Sequence, residues 1–258
     1  MKKICNFAEK YHMRLFLITF VLLSKVYGIA HNDISLIYEG ANLDAYNIEK
    51  IDFQQEQVTD SSLAACMKRV KAAIKSKDHN SYLFELENIL YIEQVDVRKR
   101  INIVNNELDN LPEFINPNSI ALTKTYKLLA STYMFIEENK DAIMKCDQAL
   151  RILRNNGMES SKECAEFMAL KCKYQQRYGL LHDAIILGEA AKHILDSLNI
   201  KSTTYTELLD NLAWTYGLVD NFEKSIQLQQ IAVNIYEVRE DWLSMVEAYN
   251  SILNSATL

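Results

Sequence analysis

Leu208 to Val233 reads LLDNLAWTYGLVDNFEKSIQLQQIAV. Leu209, Leu212, Ala213 and Tyr216 recur at the spacing that lines one face of a helix, and a second amphipathic helix follows a tight turn. Ala213, Ser225 and Ala232 are small residues at points where two helix backbones would have to approach closely.

Working outward, the same pattern returns. Thr123 to Leu153 reads TKTYKLLASTYMFIEENKDAIMKCDQALRIL, and Cys164 to Leu195 reads CAEFMALKCKYQQRYGLLHDAIILGEAAKHIL. Aligning Asp141–Ile143, Asp183–Ile185 and Lys224–Ile226 gives periods of 42 and 41 residues. Self-similarity at this spacing signals stacked supersecondary units. Ser160 with Glu163, Thr204 with Glu207 and Asp220 with Glu223 have the spacing of capping boxes. Gly157 suits the position just past a helix end.

Composition agrees with an all-helical chain. Two prolines and six glycines among 258 residues are too few for the many turns of a β-rich protein. Before the plain repeats, Leu63, Met67, Val70 and Ile74 mark one helical face, a break falls at Asp78 to Asn80, and two further helices are expected up to about Leu111. Pro112 and Pro117 bracket a connector. The last segment, from Asp241, reads as the first helix of another repeat. It suits either a solvating terminal cap, which stacked repeats need, or the mark of a truncated gene.

The N-terminus is different in kind. Lys2, Lys3, Lys10 and Arg14 precede Leu15 to Leu23, which is apolar except for Thr19, and small residues follow at Gly28 and Ala30. This is the layout of a cleaved secretory signal peptide, with processing after Gly28 or Ala30 and with Met1 or Met13 as the start. A membrane anchor would need about 20 apolar residues, and Lys25 interrupts the run. The first 28 residues hold five basic residues and one acidic, so their removal takes the net charge from −6 to −10. An acidic domain disfavours nucleic acid as a partner. The expected organisation is a signal peptide over 1–28, an irregular leader with a short helix near Ala45 to Ile51 over 29–60, and a helical repeat domain over 61–258, clearest over 121–253.

The repeats resemble tetratricopeptide (TPR) repeats in the longer form seen in kinesin light chain. The residues carrying this resemblance are Tyr126, Leu129, Ala130, Tyr133, Ala142 and Ala149 in one repeat, and Leu209, Leu212, Ala213, Tyr216, Ser225 and Ala232 in another. Between them Cys172, Ala184 and Ala191 fit, while Lys171 and Gln175 occupy the leucine and tyrosine slots; a one-residue shift would use Leu170 and Tyr174 instead. The resemblance implies a right-handed α-solenoid of the exported bacterial type, whose first helices line a groove that holds a protein or peptide. By register, that groove takes Lys124, Lys127, Ser131 and Met134, then Ala169, Lys173 and Arg177, then Asp210, Asn211 and Trp214. Asn211 matches an asparagine used to grip a peptide backbone, and Trp214 is the natural anchor. Lys124, Lys127, Lys173 and Arg177 form a candidate basic strip.

Signs of chemistry are absent from the sequence. It contains no glycine-rich phosphate loop, H-E-x-x-H or G-x-S-x-G motif. His182 and His193 lie eleven residues apart, too far along one helix to share a metal, so neither a metal nor a cofactor is expected. Glu85 with Glu87, Glu137 with Glu138 and Glu240 with Asp241 read as solvated faces. Cys146 and Cys172 fall where repeats want small packing residues, which makes buried thiols the default. Cys164 and Cys172 are about 12 Å apart on one helix, too far for a bond, so Cys146 to Cys172 is the one candidate disulfide.

The function these readings support is a non-catalytic binding scaffold, periplasmic or secreted, without membrane attachment after processing. The alternative is the periplasmic sensor region of a larger signalling protein.

Overall fold

The computed structural model describes residues 48–256, so the expected signal peptide and the first part of the leader lie outside the described residues. Among the described residues there are ten helices and no strand. They are α1 (Ile48–Ser76), α2 (His79–Leu90), α3 (Val97–Asp109), α4 (Leu122–Phe135), α5 (Asn139–Asn155), α6 (Lys162–Tyr178), α7 (Leu181–Ser197), α8 (Thr203–Leu218), α9 (Phe222–Val238) and α10 (Trp242–Ala256). None is long and apolar enough to cross a membrane. Helix α1 reaches back to Ile48, through a stretch expected to be irregular. Its buried face is Leu63, Cys66, Val70 and Ala73; Ile74, expected on that face, is exposed.

Two recurring turns make the repeat. Glu137, Gly179 and Asp220 have left-handed backbones and close the turns α4–α5, α6–α7 and α8–α9. Gly157, Asn199 and Glu240 do the same between one repeat and the next. Both sets are spaced by the same 42 and 41 residues as the sequence repeat. At each turn the following N–H reaches back to a carbonyl in the last helical turn: Glu138 to Tyr133 at 2.9 Å, Leu180 to Gln175 at 2.8 Å and Asn221 to Tyr216 at 2.9 Å. These bonds satisfy carbonyls that a helix end would otherwise leave open.

The helix starts differ from the capping boxes read in the sequence. The caps are Ser161, Ser202 and Asn221, whose side chains accept from the N–H groups of Cys164, Tyr205 and Lys224. Ser160 and Thr204 are out of register by one and two residues. Asp220 holds the left-handed turn position, which leaves the capping role to Asn221.

Small residues lie at the helix crossings as expected. Ala130, Ala142, Ala149, Ala184, Ala191, Ala213 and Ala232 are fully buried. The middle repeat keeps the unshifted register, with Cys172 in the alanine slot and Gln175 buried in the tyrosine slot; Tyr174 is buried as well. The larger Cys172 is accommodated by Gly188, where the neighbouring repeats carry Cys146 and Gln229. A Cβ at Gly188 would stand 2.9 Å from Cys172 Sγ and 2.6 Å from Leu212 Cδ2. Lys171, in a leucine slot, sends its ammonium to Asp147 on α5 at 2.6 Å.

The candidate disulfide is not formed. Cys146 and Cys172 are free, fully buried thiols, and burial pushes both up to about 12. The reason is angular. Cys146 neighbours Tyr174 of α6, whereas Cys172 sits two residues earlier on that helix, turned roughly 200° away towards Gly188 of α7.

Each first helix packs on its own second helix, and each second helix on the next first helix. First helices also meet across repeats, α2 with α4 and α6 with α8, while no two second helices pack comparably among the described residues. The stack therefore bends with the first helices inside.

Candidate functional site

The inner face is built from α2, α4, α6, α8 and α10, and its two ends differ. At the N-terminal end Lys124 on α4 pairs with Glu87 on α2. Lys127 lies 3.8 Å from Glu166 on α6, which Lys162 also approaches at 3.5 Å. Two members of the candidate basic strip are thus tied between neighbouring repeats. Glu85 and Glu87, read in the sequence as solvated, are buried: Glu85 accepts from Arg69 of α1 at 2.7 Å and Glu87 from Lys124. A cleft of about 490 Å³ lies beside that pair, lined by Leu83 and the exposed Phe84.

In the centre, Ser131 is exposed and lies near the Tyr174 phenol. Met134 and Lys173 are half-buried, and Arg177 is exposed. Ala169, expected on the groove surface, is buried.

The C-terminal end brings two predicted residues together. Asp210 and Trp214, one helical turn apart on α8, line a cleft of about 220 Å³ with Gln229 and Tyr236 of α9 and Ser244, Glu247 and Ala248 of α10. Trp214 is 60% exposed, so its indole is not consumed by packing. Asp210 accepts from the Tyr236 hydroxyl at 2.5 Å. Burial pushes the Asp210 carboxyl up, the Tyr236 bond pulls it back, and Glu247 and Glu207 add to the rise. Asn211 is half-buried, and one N–H of its amide donates to the Glu207 carbonyl at 2.7 Å, within its own helix.

Gln229, Tyr236 and Glu247 were missed from sequence. One signal for Gln229 was available, since it occupies the slot of Cys146 and Gly188 and is too polar for that crossing. It is only 4% exposed, and its Oε1 has no hydrogen-bond partner.

No site for metal chemistry is assembled: among the described residues no three His, Cys, Asp or Glu side chains converge on a point that could hold an ion.

The sequence matches no protein-family profile, and no curated protein matches it. Solved structures do. BtubC (BKLC) from P. vanneervenii is 14% identical and aligns over 77% of this chain and 91% of its own, with a TM-score of 0.54. A putative kinesin light chain from Podosopora anserina with nearly identical TPR-like repeats is 12% identical, over 76% and 85%, with a TM-score of 0.50. The likeness is one of fold: this chain is an α-solenoid of TPR-like repeats.

Proposed function

We propose that this TPR-like solenoid is a non-catalytic scaffold that holds a protein or peptide along its inner face. The observation that carries this reading is Trp214, a large aromatic left mostly exposed on that face beside a cleft. Buried aromatic anchors dominate many interfaces, and an exposed one awaits a partner to bury it. The fold adds a general argument, since stacked repeats present an extended concave surface.

The test is capture by the immobilised full chain from an envelope fraction, with Trp214→Ala as control. Proteins retained by the parent and lost from the variant, at unchanged helical circular dichroism, support the reading. Equal capture by both removes Trp214 from the binding face.

Export is part of the proposal and rests on the basic start, the apolar run Leu15 to Leu23 and the small residues at Gly28 and Ala30. N-terminal sequencing of the protein recovered from cells checks it. A chain starting at residue 29 or 31 supports export to the periplasm or beyond; an intact start in the cytosol overturns it.

A further inference from the structure

The cleft between α8, α9 and α10 collects acceptors and no cations. Asp210 and Glu247 line it, Glu247 and nearby Glu207 both act electrostatically on Asp210, and no Lys or Arg among the described residues pairs with any of the three. Elsewhere on the inner face Glu87 and Glu166 have found lysines. The second observation is independent of charge. Gln229, which lines this cleft, is almost wholly buried, with its carbonyl oxygen unpartnered. A buried acceptor without a donor is costly, and a ligand donor relieves that cost. The third is the wall: the exposed indole of Trp214 stands beside these acceptors, and indole faces attract cations.

Together these features select the ligand. An anion would meet two carboxylates, Asp210 and Glu247. A metal ion lacks a converging set of ligands. At about 220 Å³ the cleft is smaller than the roughly 300–1,000 Å³ of drug-sized sites, which suits one side-chain head group. A guanidinium or ammonium supplies several N–H donors, carries the missing charge and stacks on an indole.

We propose that this cleft is a receptor for a single organic cation, the arginine or lysine head group of a basic segment lying along the inner face. This rests on the scaffold reading for the segment, while the cation chemistry rests on the cleft itself. Asp210 and Glu247 supply the charge, Gln229 Oε1 accepts one N–H, and Trp214 forms the wall. The chain's net charge of −6 draws basic segments towards it.

The experiment is a titration of the 15N-labelled full chain, followed through its two tryptophan indole N–H resonances, assigned with Trp242→Phe. The probes are three capped peptides, Gly-Ser-Gly-X-Gly-Ser-Gly with X as Arg, Gln or Glu, and butylguanidine as the free cation. The expected result is a saturable shift of the Trp214 resonance with the Arg peptide and none with the Gln or Glu peptides. Asp210→Asn weakens the Arg peptide by at least about tenfold, and Gln229→Leu weakens it too, with both variants keeping a folded spectrum. Weaker binding of butylguanidine than of the Arg peptide identifies a peptide side chain as the source. Equal binding keeps the cation site and overturns the peptide assignment. Binding of the Gln or Glu peptide as strong as that of the Arg peptide, or an unchanged affinity in folded Asp210→Asn, overturns the proposal. A captured partner lost with Trp214→Ala but kept with Asp210→Asn would leave the scaffold standing and remove the cation from it.

Discussion

The two ends of the inner face use charge in opposite ways. Around α2 and α4, buried Glu87 is matched by Lys124, and Lys127 faces Glu166. Around α8 and α10, Asp210, Glu207 and Glu247 are unmatched and Gln229 is left without a donor. One end has closed its electrostatics within the fold, and those lysines hold repeats together. The other end keeps a deficit that the fold does not correct. A residue type alone therefore does not mark a binding surface. The candidate basic strip includes Lys124 and Lys127, which pair with carboxylates of neighbouring repeats.

The largest effect we expect comes from the packing that supports both ends. Gly188→Leu drives a side chain into Leu212 and Cys172, and overpacking of this kind costs about 1–3 kcal/mol or more. A thermal melt should show a marked loss; an unchanged melt would mean that α7 and α8 do not cross at Gly188. Ala213→Leu, at the equivalent crossing of the next repeat, should act in the same direction.

The charge contrast itself is broken by a pair of variants. Lys124→Ala leaves Glu87 buried without its cation and should lower the melting temperature. Asp210→Asn removes a desolvated, like-charged carboxylate and keeps a partner for Tyr236, so it should leave the melting temperature unchanged or raise it. Equal losses in both would erase the distinction between the two ends.

Acid titration sharpens the comparison through sign. Burial alone would raise the Asp196 carboxyl, but hydrogen bonds from Lys192 at 2.8 Å, Lys201, and Tyr205 at 2.7 Å hold it at about 2. Its contribution is complete above the unfolded carboxyl value of about 4 and is lost as pH falls towards about 2. The group is partly exposed, so we expect about 1 kcal/mol at most. Asp210 has the opposite sign: its raised carboxyl, facing Glu207, Glu247 and Tyr236, favours the folded state as pH falls through its folded value. Denaturant melts of Asp196→Asn should flatten the acid limb between about pH 4 and 2, and those of Asp210→Asn should lose a gain that the parent shows as pH falls to about 4, above that window. Equal limbs in the two variants would contradict these assignments.

The smallest expected effect is a gain. Glu137 carries a left-handed backbone that Gly179 carries in the next repeat, so Glu137→Gly should stabilise by roughly 1 kcal/mol or less. A loss would show that the Glu137 side chain contributes more than its backbone costs.

Much of the fold was legible from residue order. The apolar spacing of Leu209, Leu212, Ala213 and Tyr216 and the 42- and 41-residue periods follow from helix geometry and from stacking, both of which act locally or between neighbours. The exact caps were less legible, because Ser160 and Ser161 differ in backbone angle rather than in chemistry. The exchange of Cys172 and Gly188 was hidden, because the two residues compensate across separate helices 16 positions apart.

The sequence by itself determined a helical repeat array with small residues at its crossings, and it nominated Asp210 and Trp214. Only the tertiary structure decided which charges are already paired, that Cys146 and Cys172 face different neighbours, and that α9 and α10 complete the cleft with Gln229, Tyr236 and Glu247. The physical reason is distance. Periodicity tells which face of a helix is buried, but pairing and desolvation depend on side chains brought together from different helices.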